Sequence, residues 1–332
     1  MEKLTRFTSP IVYAVWSKNE QTRYNSTSGG AFSEFAENII SKGGIVAGAQ
    51  YTDENYVEHA IISKTEDIEK LRQSKYLSSS IGDIYKEVKK NLDDKKLVGF
   101  CGSPCQVAGL YSFLENDYEN LFTMDFICRG MNSPKAFKSW LNEIEVKENA
   151  KVRKVWFKYK KGGWKSSPTR TRLDFDNGKY KVYEYEKNLY MYGYLNSNLY
   201  IRPSCGDCKF KGLPRKSDIT FADFWGIEKE FDDDKGTSMI LVNSKKGKIY
   251  FEELKDKFEY YQQNLNKIVE ANPMFFTSVS VPKNSSAFLR DLDNLKFSDC
   301  LKKYNGYPKG FLLLRNFKRK IKKILNKVRN RE

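Results

Sequence analysis

The chain has 332 residues, 40% of them hydrophobic and 14% aromatic, and carries a net charge of +16. That composition excludes wholesale disorder, and no apolar run approaches the roughly 20 residues that cross a bilayer. A single histidine, His59, sits in the strand-like run Tyr56–Ile62; read as structural, it removes Ser-His-Asp and Cys-His hydrolysis, histidine-rich zinc sites and Cys2His2 fingers.

The first 20 residues lack the apolar length and cleavage site of a signal peptide, so a cytoplasmic location is expected. Ile11–Trp16 predicts a strand. The loop Ser26-Thr27-Ser28-Gly29-Gly30 then leads into a helix with Phe32, Phe35, Ala36, Ile39 and Ile40 on one face, stopped by Gly43-Gly44. Free N–H groups, hydroxyls and the positive helix end make this loop either a phosphate site or a plain capped helix start. Ile45–Tyr51 and Val57–Ser63 read as strands, Glu66–Gln73 and Ile81–Leu92 as helices. Between those helices, Ser74-Lys75-Tyr76 sets hydroxyls beside a cation. Residues 8–96 form the first expected α/β unit.

A second unit is expected over 97–260. The strand Leu97–Phe100 turns through Cys101-Gly102-Ser103-Pro104 into a helix from Cys105 to Glu115, with Ser103 suited to the N-cap and Pro104 to the first turn. The strand Leu121–Ile127 ends at Cys128-Arg129-Gly130. Across 152–186 the pattern shifts to aromatic and β-branched alternation broken by Gly162-Gly163 and Asp176-Asn177-Gly178, which predicts an antiparallel insertion. Strands Asp218–Trp225 and Ser238–Asn243 and the helix Lys245–Lys255 follow. The expected fold class is α/β: mixed, largely parallel sheets with flanking helices, an antiparallel insertion and a basic C-terminal helix.

Residues 261–332 are expected to be a helical tail. Arg315–Glu332 holds nine Lys/Arg and one acidic residue, half the net charge, and spaces Phe317, Ile321, Ile324 and Val328 along one helical face. Such a segment suits a helix packed on the body, an anionic membrane surface or an acidic partner, with nucleic acid well behind.

Six cysteines in a chain without export signals point to metal or redox thiols rather than disulfides. Cys105 falls in a first helical turn, where the dipole favours thiolate, and Cys128 follows a strand end. The carboxyl ends of neighbouring parallel strands share one crevice, so both thiols can converge. Cys205 and Cys208 add a C-x2-C chelate. Four such thiols suit an iron–sulfur cluster, tetrahedral zinc or unligated chemistry. Cys101 reads as a small hydrophobe in a strand, and Cys300 is isolated.

Taken in order, several stretches resemble the coenzyme F420 hydrogenase/dehydrogenase beta-subunit family. They are Ser26–Gly30, Gly43-Gly44 with Gly48-Ala49, Ser74-Lys75-Tyr76, the run Gly102-Ser103-Pro104-Cys105-Gln106-Val107-Ala108-Gly109-Leu110, and Asp125-Phe126-Ile127-Cys128-Arg129-Gly130. Gly163-Trp164, Arg202-Pro203-Ser204-Cys205-Gly206-Asp207-Cys208, Ser217-Asp218-Ile219 and Asp223-Phe224-Trp225-Gly226 complete the series. The resemblance implies an oxidoreductase passing electrons between FAD, a [4Fe–4S] cluster and a hydride-type partner, with coenzyme F420 a further candidate. By position it implies Cys105, Cys128, Cys205 and Cys208 as cluster ligands. It likewise implies Ser26, Thr27, Ser28, Gly29, Gly30, Ser74, Lys75 and Tyr76 as flavin contacts.

Two departures matter. The family's usual Cys-His-Gly is here Cys128-Arg129-Gly130, which makes Arg129 a candidate for holding an anionic flavin or substrate. Members often carry an N-terminal ferredoxin module, whereas this chain starts at the flavin-type segment, which implies a separate electron donor or acceptor protein. Short bacterial relatives often serve surface-polysaccharide pathways, and a basic tail peripheral to the inner membrane face would suit that work. The competing reading is a zinc-stabilised or cofactor-less binding partner in a glycan-assembly complex.

Overall fold

The computed structural model describes residues 6–165, 168–185, 187–267 and 272–305. The first strand, β1 (Arg6–Ser17), is followed by α1 (Glu20–Asn25), whose N-cap Asn19 accepts the Thr22 N–H at 2.9 Å. Then come α2 (Ala31–Ser41), β2 (Ile45–Tyr51), β3 (Val57–Ile62), the single turn α3 (Ile68–Leu71) and α4 (Ile84–Asp93). Next are β4 (Val98–Cys101), α5 (Pro104–Leu114), β5 (Leu121–Phe126) and α6 (Pro134–Glu148). The insertion supplies β6 (Val152–Phe157), β7 (Thr171–Phe175) and β8 (Tyr180–Tyr183), and α7 (Leu189–Asn196) leaves it. The chain continues through β9 (Ile219–Asp223), β10 (Ser238–Ser244), α8 (Lys245–Leu254), β11 (Phe258–Gln263), α9 (Ser285–Asp291) and α10 (Phe297–Asn305).

Eight strands form one sheet in the order β11-β1-β10-β9-β5-β4-β2-β3. Its centre, β9-β5-β4-β2, is parallel, and every pairing outside that centre is antiparallel. Strands from either side of residue 96 thus share the sheet. The tail segment that begins at 261 includes the end of β11, so its first residues are strand rather than helix. The segment Arg315–Glu332 lies outside the described residues.

Side chains alternate across β2. Ile45 and Ala47 face a cluster built with Val88, Leu92, Val107 and Leu110 of α4 and α5, while Val46 joins Phe35 and Ile39 of α2 on the other face. Helix α2 lies so close to β4 that a Cβ on Gly99 would come within 2.6 Å of Ile39 Cδ1. The insertion is the predicted antiparallel sheet, β6-β7-β8, with Gly178 at φ +75° in the turn between β7 and β8. It packs on an aromatic cluster in which the Trp140 and Tyr190 rings are 5.3 Å apart and Tyr190 and Tyr200 are 5.2 Å apart. Helices α6, α7, α9 and α10 close over the same cluster.

One buried ion pair ties the loop after Cys208 to the sheet. Arg215 donates to Asp125 Oδ2 at 2.8 Å with both side chains under 4% exposed. The same guanidinium donates to the Phe210 carbonyl at 3.2 Å, and Thr220 donates to Asp125 Oδ1 at 2.6 Å. Breaking such a pair leaves a buried charge without compensation. Arg215→Met should therefore cost roughly 3–5 kcal/mol in urea denaturation; a loss below about 1 kcal/mol would show that water solvates Asp125 in the variant.

Candidate functional site

Pro104 opens α5, and the Gln106 side chain accepts the Ser103 N–H at 2.9 Å, fixing the first helical turn where Cys105 stands. Cys128 follows β5 by two residues, and Cys205 and Cys208 lie on and just beyond the short 3-10 turn Pro203–Asp207. All four line one small cavity of about 30 Å³, with Ile127, Lys211 and Phe275 among its other walls. The Ser103 hydroxyl lies 3.1 Å from Cys105 Sγ, and the Met131 N–H points at Cys205 Sγ at 3.5 Å. Burial pushes the Cys128 thiol up to about 12; Lys211 pulls it back, and the other three thiols push it further. Lys211 is held there by the carbonyls of Cys128 and of Met274, the latter at 2.7 Å. Among the described residues, no three His, Cys, Asp or Glu are gathered closely enough to hold a single metal ion. Cys300 is fully buried in the aromatic core, and Cys101 at the end of β4 lines a different cavity.

That second cavity is large, about 560 Å³. Ser26, Thr27, Ser28 and Gly30 line it at the start of α2, and Ser74, Lys75 and Tyr76 line it from the segment after α3. The two groups meet: the Ser74 N–H donates to Thr27 Oγ1 at 2.9 Å. Gly29 is turned away onto β1, where a Cβ would sit 2.3 Å from the Val15 carbonyl oxygen. Its role is close packing. Lys75 donates to the carbonyls of Leu71 at 3.2 Å and Arg72 at 2.7 Å, closing the end of α3, and burial pulls its ammonium down to about 7. Arg129 donates to the carbonyls of Tyr194 and Leu195 at 2.9 and 3.2 Å and lies over the Tyr194 ring.

The structure adds cavity residues that no spacing in the sequence marked. Arg72 donates through Nε to Ser33 at 2.9 Å and, among the described residues, forms no ion pair. Burial lowers its pKa, with nearby acids opposing that shift. Lys158 and Asp223 pair on the cavity wall beside Trp225. Asp223 and Trp225 belong to the Asp-Phe-Trp-Gly run, whose position at a strand end was the available signal. The wall therefore carries Arg72, Lys75, Lys158 and Arg129 against Asp223, a balance that suits an anionic occupant.

His59 also borders this cavity, stacked on Phe100 at 5.4 Å. Its Nε2 lies 3.1 Å from the Cys101 carbonyl, so Nε2 is the donor; Nδ1 is buried with no hydrogen-bond partner among the described residues. Burial pulls the ring down to about 4, far from general acid–base use at neutral pH. The unfolded value is about 6.5, so the unfolded chain takes the proton first as pH falls. The stability this supplies is complete above about pH 6.5 and is lost toward pH 4. Urea denaturation from pH 7 to 5 should lose up to ~1.4 kcal/mol per pH unit, and His59→Gln should flatten that slope. A slope that survives the substitution would belong to another group.

The two cavities share a wall. Ile127, Cys128, Arg129, Gly130, Met131 and Met274 line both. The family model for the coenzyme F420 hydrogenase/dehydrogenase beta subunit N-terminal region matches residues 12–85, and that for the C terminus of the same subunit matches 95–267. A comparison with curated proteins returned no match. Among solved structures, a chain of the xenon-derivatised F420-reducing [NiFe] hydrogenase complex from Methanosarcina barkeri shares the fold. Its TM-score is 0.52 at 17% identity, over 91% of this chain and 93% of that one. The chain belongs to the coenzyme F420 hydrogenase/dehydrogenase beta-subunit family.

Proposed function

We propose that the chain is an electron-transfer oxidoreductase holding FAD in the large cavity and a [4Fe–4S] cluster on Cys105, Cys128, Cys205 and Cys208. The shared wall of residues 127–131 carries this reading, because it sets the two sites back to back. Zinc draws four thiolates to about 2.3 Å around one ion. Four cysteine thiolates also hold a [4Fe–4S] cluster, and here all four thiols line one cavity. Flavin bound in the large cavity supplies hydride uptake together with one-electron release, which joins a hydride partner such as a deazaflavin to a one-electron carrier protein. The N–H groups at the start of α2, the hydroxyls of Thr27 and Ser74 and the Arg72 guanidinium suit the diphosphate.

Protein purified anaerobically should contain about four iron and four sulfide per chain. Cys105→Ser or Cys205→Ser should lose both, and Cys300→Ser should keep them. Stoichiometric zinc without iron would replace this reading with that of a zinc-stabilised binding module. Arg72→Ala should weaken FAD binding about tenfold or more, as expected for losing a charge-assisted phosphate contact, while leaving iron content unchanged. Unaltered FAD affinity would place the diphosphate elsewhere.

No helix among the described residues is long and apolar enough to cross a membrane. We propose peripheral binding of the basic segment Arg315–Glu332 to anionic lipid, each cation contributing on the order of 1 kcal/mol. Deleting it should abolish sedimentation with anionic vesicles at low salt and leave cofactor content intact. A full-length chain that ignores such vesicles would contradict this.

A further inference from the structure

Asp223, the last residue of β9, lies on the wall of the large cavity with both carboxylate oxygens engaged. The Ser28 hydroxyl donates to Oδ1 and the Lys158 ammonium to Oδ2. Ser28 at φ +53° and Lys158 at φ +56° both occupy the left-handed region without being glycine. Left-handed backbone at a non-glycine residue costs strain that the surrounding structure must hold, and here two such positions converge on one carboxylate. The Lys158 ammonium is also confined by rings. It sits 5.0 Å from the Trp225 centroid and 5.9 Å from that of Tyr76, and Trp225 is stacked on Trp164 at 4.5 Å with planes 1° apart.

The cations of this cavity are not equivalent. Lys75 spends its ammonium on backbone carbonyls at the end of α3, and Arg129 spends its guanidinium on those at the end of α7. Lys158 is 8% exposed, and of its three donors the described residues take one. Stability alone does not account for it, since a buried ion pair is often no better than an apolar pair of the same shape.

We propose that Lys158 is the charge-compensating residue for the redox ring held in this cavity, positioned by Asp223 and Ser28 and confined by Trp225 and Tyr76. The assignment rests on the flavin reading above. A hydride, two electrons with one proton, passes from a reduced deazaflavin or nicotinamide to the ring and leaves the donor oxidised. The ring then carries one more negative charge, so a fixed cation beside it holds the reduced form more tightly than the oxidised form.

The test is the two-electron midpoint potential of flavin-loaded protein, measured anaerobically beside FAD affinity. Lys158→Met should weaken binding of reduced flavin at least tenfold relative to oxidised flavin, a fall of about 30 mV for a two-electron couple. Lys158→Arg should restore most of it. Should Lys158→Met fail to fold with Asp223 unpaired, the double variant Lys158→Met/Asp223→Asn, which buries neither charge, should fold and show a smaller fall, because losing the carboxylate offsets part of losing the cation. An unchanged potential in either folded variant overturns the assignment. A wild-type chain that takes up no flavin overturns the flavin reading itself, and this assignment with it.

Discussion

Five consecutive residues, Ile127–Met131, separate a cavity lined by four thiols from one lined by cations and hydroxyls. Their position follows from the sheet. Strand β5 lies between β4 and β9, parallel to both, so the chain leaving β5 emerges at the same edge as the β4–α5 turn that presents Cys105. The crevice at the carboxyl ends of parallel strands is where open α/β sheets bind ligands. The Arg215–Asp125 pair then holds the loop after Cys208 against that strand end. Sheet order, helix start and buried ion pair all serve one short segment.

The electrostatics of the large cavity point the same way. Its cations are held by carbonyls, a hydroxyl or a carboxylate, and burial pulls Lys75, Lys158 and Arg72 below their ordinary values; Lys158 is paired with Asp223. Cations in such surroundings carry a desolvation penalty that an anionic occupant relieves. Anything that binds only the folded chain stabilises it by mass action. On the proposed reading, the fold carries part of the cost of the flavin site before the flavin arrives.

Local signals in the sequence located much of this, and long-range pairing escaped them. The period of Phe32, Phe35, Ala36, Ile39 and Ile40 marks α2, and Pro104 marks the start of α5. The thiols and the Ser26–Gly30 loop were visible because cysteine spacing and glycine pairs are uncommon. The pairing of β1 with β10 and β11 joins residues more than 220 apart, and no local pattern encodes that. Gly29 read as part of a phosphate loop, yet its missing Cβ serves packing on Val15. Arg72 and Lys158 are single cations among 58 Lys and Arg, distinguished only by what the fold buries around them.

The central claim is that the two sites exchange electrons within one chain across residues 127–131. Photoreduction of flavin in protein loaded with both cofactors tests it most directly. The account predicts that flavin bleaching is followed by appearance of the reduced-cluster EPR signal, at a rate independent of protein concentration. A flavin that stays reduced beside an oxidised cluster, or a transfer rate that rises with protein concentration, would contradict it.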